Sequence, residues 1–162
     1  MRNGSGEAFG MNLSEILIEE CISLELSHQT KNGAIQEMVE LASQSGKIAN
    51  TDKLVKAILD RERIQTTGIG SGMAIPHATT EGIRGLVLAM GISREGVEYD
   101  SLDNKPVHLI FLLGGEPRLQ TSFLSILSKI SRFFRKEEFR KEVCAAKTAV
   151  DILSLIQARE EN

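Results

Sequence analysis

The chain has 162 residues, 41% of them hydrophobic and 25% charged, with a formal net charge of −3. That size and balance describe one globular domain able to bury roughly two thirds of its unfolded surface, and exclude a fibrous or disordered chain. With 19 basic against 22 acidic residues, nucleic acid is excluded as a main partner, because binding a phosphate backbone needs an excess of Lys and Arg on one face.

Residues 1–10, "MRNGSGEAFG", lack the basic start and apolar core of a signal peptide and read as a flexible tail, leaving residues 11–162 as a single domain. Between Met11 and Leu26 the alternation in "CISLEL" predicts a short strand, with one turn of helix as the alternative for the part before it. Ile35, Met38, Val39 and Ala42 then recur at helical spacing, and "SQSGK" supplies a glycine stop. A second helix follows in "NTDKLVKAILDRER", with Asn50, Thr51 and Asp52 as candidate caps and an end near Arg61 to Arg63. From Ile64 to Thr80 the periodicity stops, and Gly68, Gly70 and Gly72 mark a shaped loop. "GLVLAMGISR" and "PVHLIFLLGG" read as neighbouring core strands joined by the turn-rich "EGVEYDSLDNK". Both fall far short of the ~20 apolar residues that span a bilayer, so direct membrane insertion is not expected. Helical spacing returns in Phe123, Ile126, Leu127, Ile130, Phe133 and Phe134, and again in Ala149, Ile152, Leu153 and Ile156. The fold class expected is α/β (α+β): a small mixed sheet flanked by helices, without internal repeats. Cys21 and Cys144, far apart and with no CxxC, read as small buried side chains of a reducing compartment and offer no metal site.

The chemistry concentrates in "GSGMAIPHATTEG", residues 70–82. An imidazole with an ordinary pKa of ~6.5 is largely neutral at cytoplasmic pH and has a free lone pair able to accept a phosphoryl group. Pro76 fixes its own φ and biases Ile75 toward extended geometry, limiting the backbone freedom of His77. The glycines could turn successive backbone N–H groups toward an anion. A solvated loop histidine remains open on these residues alone. His108, on a strand, reads as a packed ring with its polar tip satisfied, and His28 as a solvated turn residue.

"RERIQTTGIGSGMAIPHA", residues 61–78, resembles the active-site signature of the enzyme IIA domains of the bacterial phosphoenolpyruvate-dependent phosphotransferase system, in the fructose/mannitol and nitrogen-regulatory group. The likeness extends over most of residues 12–158. It implies that His77 is phosphorylated, that Arg61 stabilises the transferred group, and that Thr67, Gly68, Gly70, Ser71 and Gly72 form a phosphate-binding loop. Ser71 stands where asparagine is common. A second histidine of many members is missing here. The corresponding region, "EPRLQTSFLSILSK", offers Arg118, Gln120 or Phe123, of which Arg118 is the possible substitute carrying a charge.

The resemblance further implies a cytoplasmic phosphocarrier that needs no metal or organic cofactor. It takes its phosphoryl group from the histidine-containing phosphocarrier protein, across an apolar rim expected to include Met73 and Ile75. The reading favoured is a nitrogen-regulatory signalling component acting on regulatory target proteins. The alternatives are a sugar-specific subunit that passes phosphate to the cysteine of an enzyme IIB domain, and a binding module that has lost transfer.

Overall fold

The computed structural model describes residues 11–162; the tail expected over residues 1–10 lies outside the described residues. Leu13–Ile16 makes one turn of helix (α1) that runs straight into strand β1, Leu17–Ser23. The strand thus begins earlier than the "CISLEL" alternation predicts. A register shift lies between the pairs made by Leu17 and Ile22, so Glu19 and Glu20 stay exposed and the buried positions do not alternate.

Helix α2, Lys31–Ala42, is capped by Thr30, whose hydroxyl accepts the Gly33 N–H at 3.2 Å. Helix α3, Thr51–Ile64, is capped by Asn50, which accepts the Lys53 N–H at 3.1 Å. Such caps are worth about 1 kcal/mol each; Asn50 is one of the cap candidates of the sequence, whereas Thr30 was not singled out. The stretch read as a loop holds three short strands: β2 (Gly68–Gly70), β3 (Met73–Ala74) and β4 (His77–Thr79). The long strands are β5, Leu86–Val97, and β6, Val107–Gly115. A 3-10 turn at Pro117–Leu119 leads into α4, Gln120–Phe133, and the chain closes with α5, Glu137–Ala145, and α6, Ala149–Glu161. Helix α5 was not anticipated: only Phe139 and Val143 of its residues are buried, too short a stripe to stand out of the charge run "RKEEFRKE".

The six strands form one mixed sheet in the order β1-β5-β6-β3-β2, with β4 also on β6. Strands β5 and β6 are neighbours, as the sequence predicts, and pair antiparallel, whereas β1 runs parallel to β5, and β3 and β4 run parallel to β6. Side-chain alternation sends Leu88, Met90, Phe111 and Leu113 to one face, under α1, α4, α5 and α6. Val87, Ala89, Ile110 and Leu112 go to the other face, under α2 and α3. Both faces are therefore covered, and the ends of the strands are left for chemistry.

Candidate functional site

His77 opens β4 and pairs with Leu113 near the end of β6. Two backbone contacts hold its segment: the Leu113 N–H donates to the Pro76 carbonyl at 3.1 Å, and the Ile75 N–H donates to the Thr67 carbonyl at 3.0 Å. The ring is then fixed by its own Nδ1, 2.7 Å from the Ile75 carbonyl. A carbonyl can only accept, so Nδ1 carries the proton and Nε2 keeps its lone pair. Phe123 of α4 packs against the ring at a centroid distance of 5.9 Å and a tilt of 55°.

The ring is half-buried. Burial pushes its pKa below the ordinary histidine range; the Ile75 carbonyl pulls it back up, the positive charge of Arg61 pushes it down, and Glu62 opposes Arg61. Burial is the largest of these effects, and the imidazole is neutral at neutral pH.

Arg61 lies in the last turn of α3 and shares with His77 a cleft of about 340 Å³ that Thr79, Gln120, Phe123 and Leu124 also line. Its Nη1 donates to the Gln65 carbonyl at 2.8 Å, which closes the helix end and holds the guanidinium in place. Asp60 is taken by Lys56 and Arg63, and Glu62 by Lys31. Among the described residues Arg61 has no carboxylate partner, so its remaining N–H donors are free for an anion.

The other expected site residues separate. Met73 pairs with Leu109 and His77 with Leu113, so the turn before Met73 is four residues of β6 away from His77, about 13 Å at strand rise. Gly70, Ser71 and Gly72 all have positive φ, at 95°, 58° and 78°, and make the tight turn between β2 and β3. Ser71 and Gly72 border a different cavity, beside His108. This is a correction: the glycines of the motif do not cradle His77. They turn the chain so that the following residues run along β6 and deliver His77 to its far end. Thr67 is nearer but buried, with its N–H and hydroxyl both given to Glu62.

Met73 and Ile75 are also corrected, from exposed rim to core, at 2% and 4% exposure. The exposed apolar side chain beside His77 is Leu124, at 54%. Arg118 binds Glu116 through Nε at 2.9 Å and does not line the His77 cleft. Gln120, two residues on at the start of α4, does line it. His108 donates from Nδ1 to the Ser93 carbonyl at 2.8 Å, and His28 sits exposed against Glu37. His28 matches its sequence reading; His108 has its polar tip satisfied as expected, but the ring is exposed and not packed, because it points away from the core side of β6. What the sequence did not announce is the buried carboxylate behind the site, Glu62, 8% exposed; a single acidic residue in a charged helix end gives no signal.

Comparison with known proteins gives the family. Residues 15–159 match the family described as phosphoenolpyruvate-dependent sugar phosphotransferase system, EIIA 2. The chain belongs to that family. It is 37% identical over 151 residues to a fructose-specific EIIA component of Haloferax volcanii, covering 88% of this chain and 95% of that protein. To the fructose-specific EIIABC component of Bacillus subtilis it is 34% identical over 93% of this chain, but it spans only 24% of that larger protein. Among solved structures, the nitrogen regulatory protein IIA-Ntr of Neisseria meningitidis superimposes with a TM-score of 0.82 at 27% identity, over 89% of this chain and 98% of that one.

Proposed function

We propose that the chain is a phosphocarrier whose reacting atom is Nε2 of His77. The observation that carries this reading is a half-buried, neutral imidazole anchored through Nδ1 in a cleft that also holds a guanidinium with no carboxylate partner among the described residues. The donor is the phosphohistidine of the histidine-containing phosphocarrier protein. The N–P bond of the donor breaks as the Nε2–P bond forms, in line, and the proton stays on Nδ1, donated to the Ile75 carbonyl. Catalysis of such a transfer is mostly positioning and charge stabilisation. Arg61 supplies the charge. Gln120, in place of the second histidine of many relatives, supplies a neutral amide donor whose protonation does not change with pH. Leu124 and its neighbours on α4 form the apolar rim on which a partner rests transiently.

For the next acceptor, the identities of 37% and 34% to fructose-specific proteins, against 27% to the nitrogen-regulatory structure, favour the sugar branch over the regulatory role that the motif first pointed to. The acceptor is then the cysteine of an enzyme IIB domain, in the cytoplasm. The fold match to the nitrogen-regulatory protein keeps the regulatory reading as the second choice, with phosphorylation acting as a charge switch for target proteins.

Incubation with phosphoenolpyruvate, enzyme I and the histidine-containing phosphocarrier tests the carrier reading. Acid-labile phosphate is expected on the wild type and is absent from His77→Ala. A wild type that stays unlabelled marks a binding module that has lost transfer. Adding a purified fructose-type enzyme IIB separates the branches: discharge of the label onto its cysteine supports sugar transfer, and retention supports regulation.

A further inference from the structure

Behind the cleft lies a chain of contacts that the transfer itself does not use. Glu62 is buried, and its carboxylate accepts Lys31 Nζ at 2.8 Å, the Thr67 N–H at 3.1 Å and the Thr67 hydroxyl. With the Thr67 hydrogen given to Glu62, the Tyr99 hydroxyl, 2.9 Å from Thr67 Oγ1, is the donor of that pair. Lys31 Nζ also stands 4.9 Å over the Tyr99 ring.

A buried ion pair is a poor stabiliser, because desolvation of the two charges offsets most of their attraction. Lys31 is moreover the first residue of α2, where the helix dipole disfavours a cation. Stability alone does not explain these choices, but the direction of the contacts does. Glu62 clamps both donors of Thr67; the Thr67 carbonyl accepts the Ile75 N–H at 3.0 Å; the Ile75 carbonyl accepts His77 Nδ1 at 2.7 Å. Every link between Lys31 and the His77 ring is a hydrogen bond or an ion pair.

We propose that Lys31, Glu62 and Thr67 are positioning residues that lock the His77 ring in its Nδ1–H tautomer, while Lys31 keeps the Glu62 carboxylate away from the neighbouring Arg61. The functional half of this proposal rests on the phosphocarrier reading. Lys31 has two effects. It compensates a carboxylate that would otherwise be buried alone, and it leaves the guanidinium next in sequence free for phosphate. Thr67, expected from sequence to touch the phosphoryl group, acts through Ile75 instead.

The test uses the full chain, with the His77 ring labelled with 15N, and compares wild type, Thr67→Ser, Thr67→Val and Lys31→Met. Three quantities are read on each folded protein: the His77 tautomer by NMR, the phosphorylation rate, and the melting temperature. Thr67→Ser, which keeps the hydroxyl, is expected to retain the wild-type tautomer and rate. Thr67→Val and Lys31→Met are expected to show a measurable Nε2–H population and a rate lower by about tenfold, the scale of a small misplacement of a reacting atom. If either variant fails to fold, the other carries the comparison. A melting temperature that falls while tautomer and rate hold at wild-type values makes the network merely structural and overturns the proposal, as does a change in only one of the two. Should the wild type accept no phosphate, the carrier reading fails by itself, and the tautomer of the unphosphorylated ring still decides whether the relay positions His77.

Discussion

Replacing Arg61 with glutamine removes the only guanidinium that lines the His77 cleft among the described residues and leaves a shorter, neutral side chain. A hydrogen bond to a charged group contributes about 1.5–3 kcal/mol when shielded from water. Arg61 is partly exposed and one of its donors is committed to the Gln65 carbonyl at 2.8 Å. Two bonds to the phosphoryl oxygens, discounted for screening to about 1 kcal/mol each, total about 2 kcal/mol. That corresponds to about a thirtyfold slower phosphorylation. Arg61→Lys keeps the charge but loses the planar fork, and is expected to fall between the two. The same guanidinium depresses the His77 pKa, so Arg61→Gln also raises it, an effect visible in an NMR titration of the ring without any partner protein. Stopped-flow or quench-flow phosphorylation at saturating donor measures the first effect. A rate within threefold of wild type, together with an unmoved titration, would refute the placement of Arg61 as the phosphate-stabilising group.

The depressed His77 pKa sets a pH dependence. Phosphorylation is expected to hold steady from pH 8 to about 7 and to fall only at lower pH, as Nε2 becomes protonated below the ordinary value of ~6.5; a profile falling already at pH 7.5 contradicts a depressed pKa. Because the folded-state pKa lies below the unfolded one, the unfolded chain binds the proton first. The contribution to stability is thus fully present above pH ~6.5 and is lost as pH falls through the folded pKa, and His77→Gln flattens that part of the denaturation profile. Gln120→Ala removes a neutral donor at an exposed position and is expected to slow transfer by about three- to tenfold, the value of one hydrogen bond to the phosphoryl group after screening by water, in the same quench-flow assay. Gly72→Ala separates turn from cradle: an added Cβ meets nothing nearer than His108 at 3.9 Å, so its cost is the positive φ alone. We expect about 1–2 kcal/mol of stability lost in urea denaturation, with the transfer rate of the folded protein within twofold of wild type.

The fold was legible where one physical requirement dominates. "GLVLAMGISR" and "PVHLIFLLGG" are too apolar to be anything but covered strands, and they pair as antiparallel neighbours. Asn50 caps its helix because its side chain can accept an N–H that the helix leaves unpaired. Helix α5 was hidden because surface charges fill most of its positions and only two of its residues are buried. Strand β1 was misplaced because its register shift breaks the period of two on which a strand is recognised.

Within the site, the pairing of His77 with Arg61 was legible to the extent that the structure places both side chains in one cleft. The glycines were misread because a glycine reports a backbone freedom and not the use made of it. The same alternation serves an anion nest or a tight turn, and here Gly70, Ser71 and Gly72 use it to reverse the chain between β2 and β3. Gly68 adds a packing demand of its own, since a Cβ there would stand 2.9 Å from the Ser101 backbone. Once the chain has turned, pairing along β6 carries Met73 and Ile75 into the core, and Pro76 brings the ring of His77 out at the strand end. Proximity in sequence had put glycine and histidine on the same phosphate; strand rise puts about 13 Å between the turn and the ring. The motif is thus two devices in series: a turn that sets direction and a proline–histidine end that carries the proposed reacting atom. The phosphate contacts proposed above are Arg61 at the end of α3 and Gln120 at the start of α4, two positions that share the His77 cleft because β4 lies parallel beside β6.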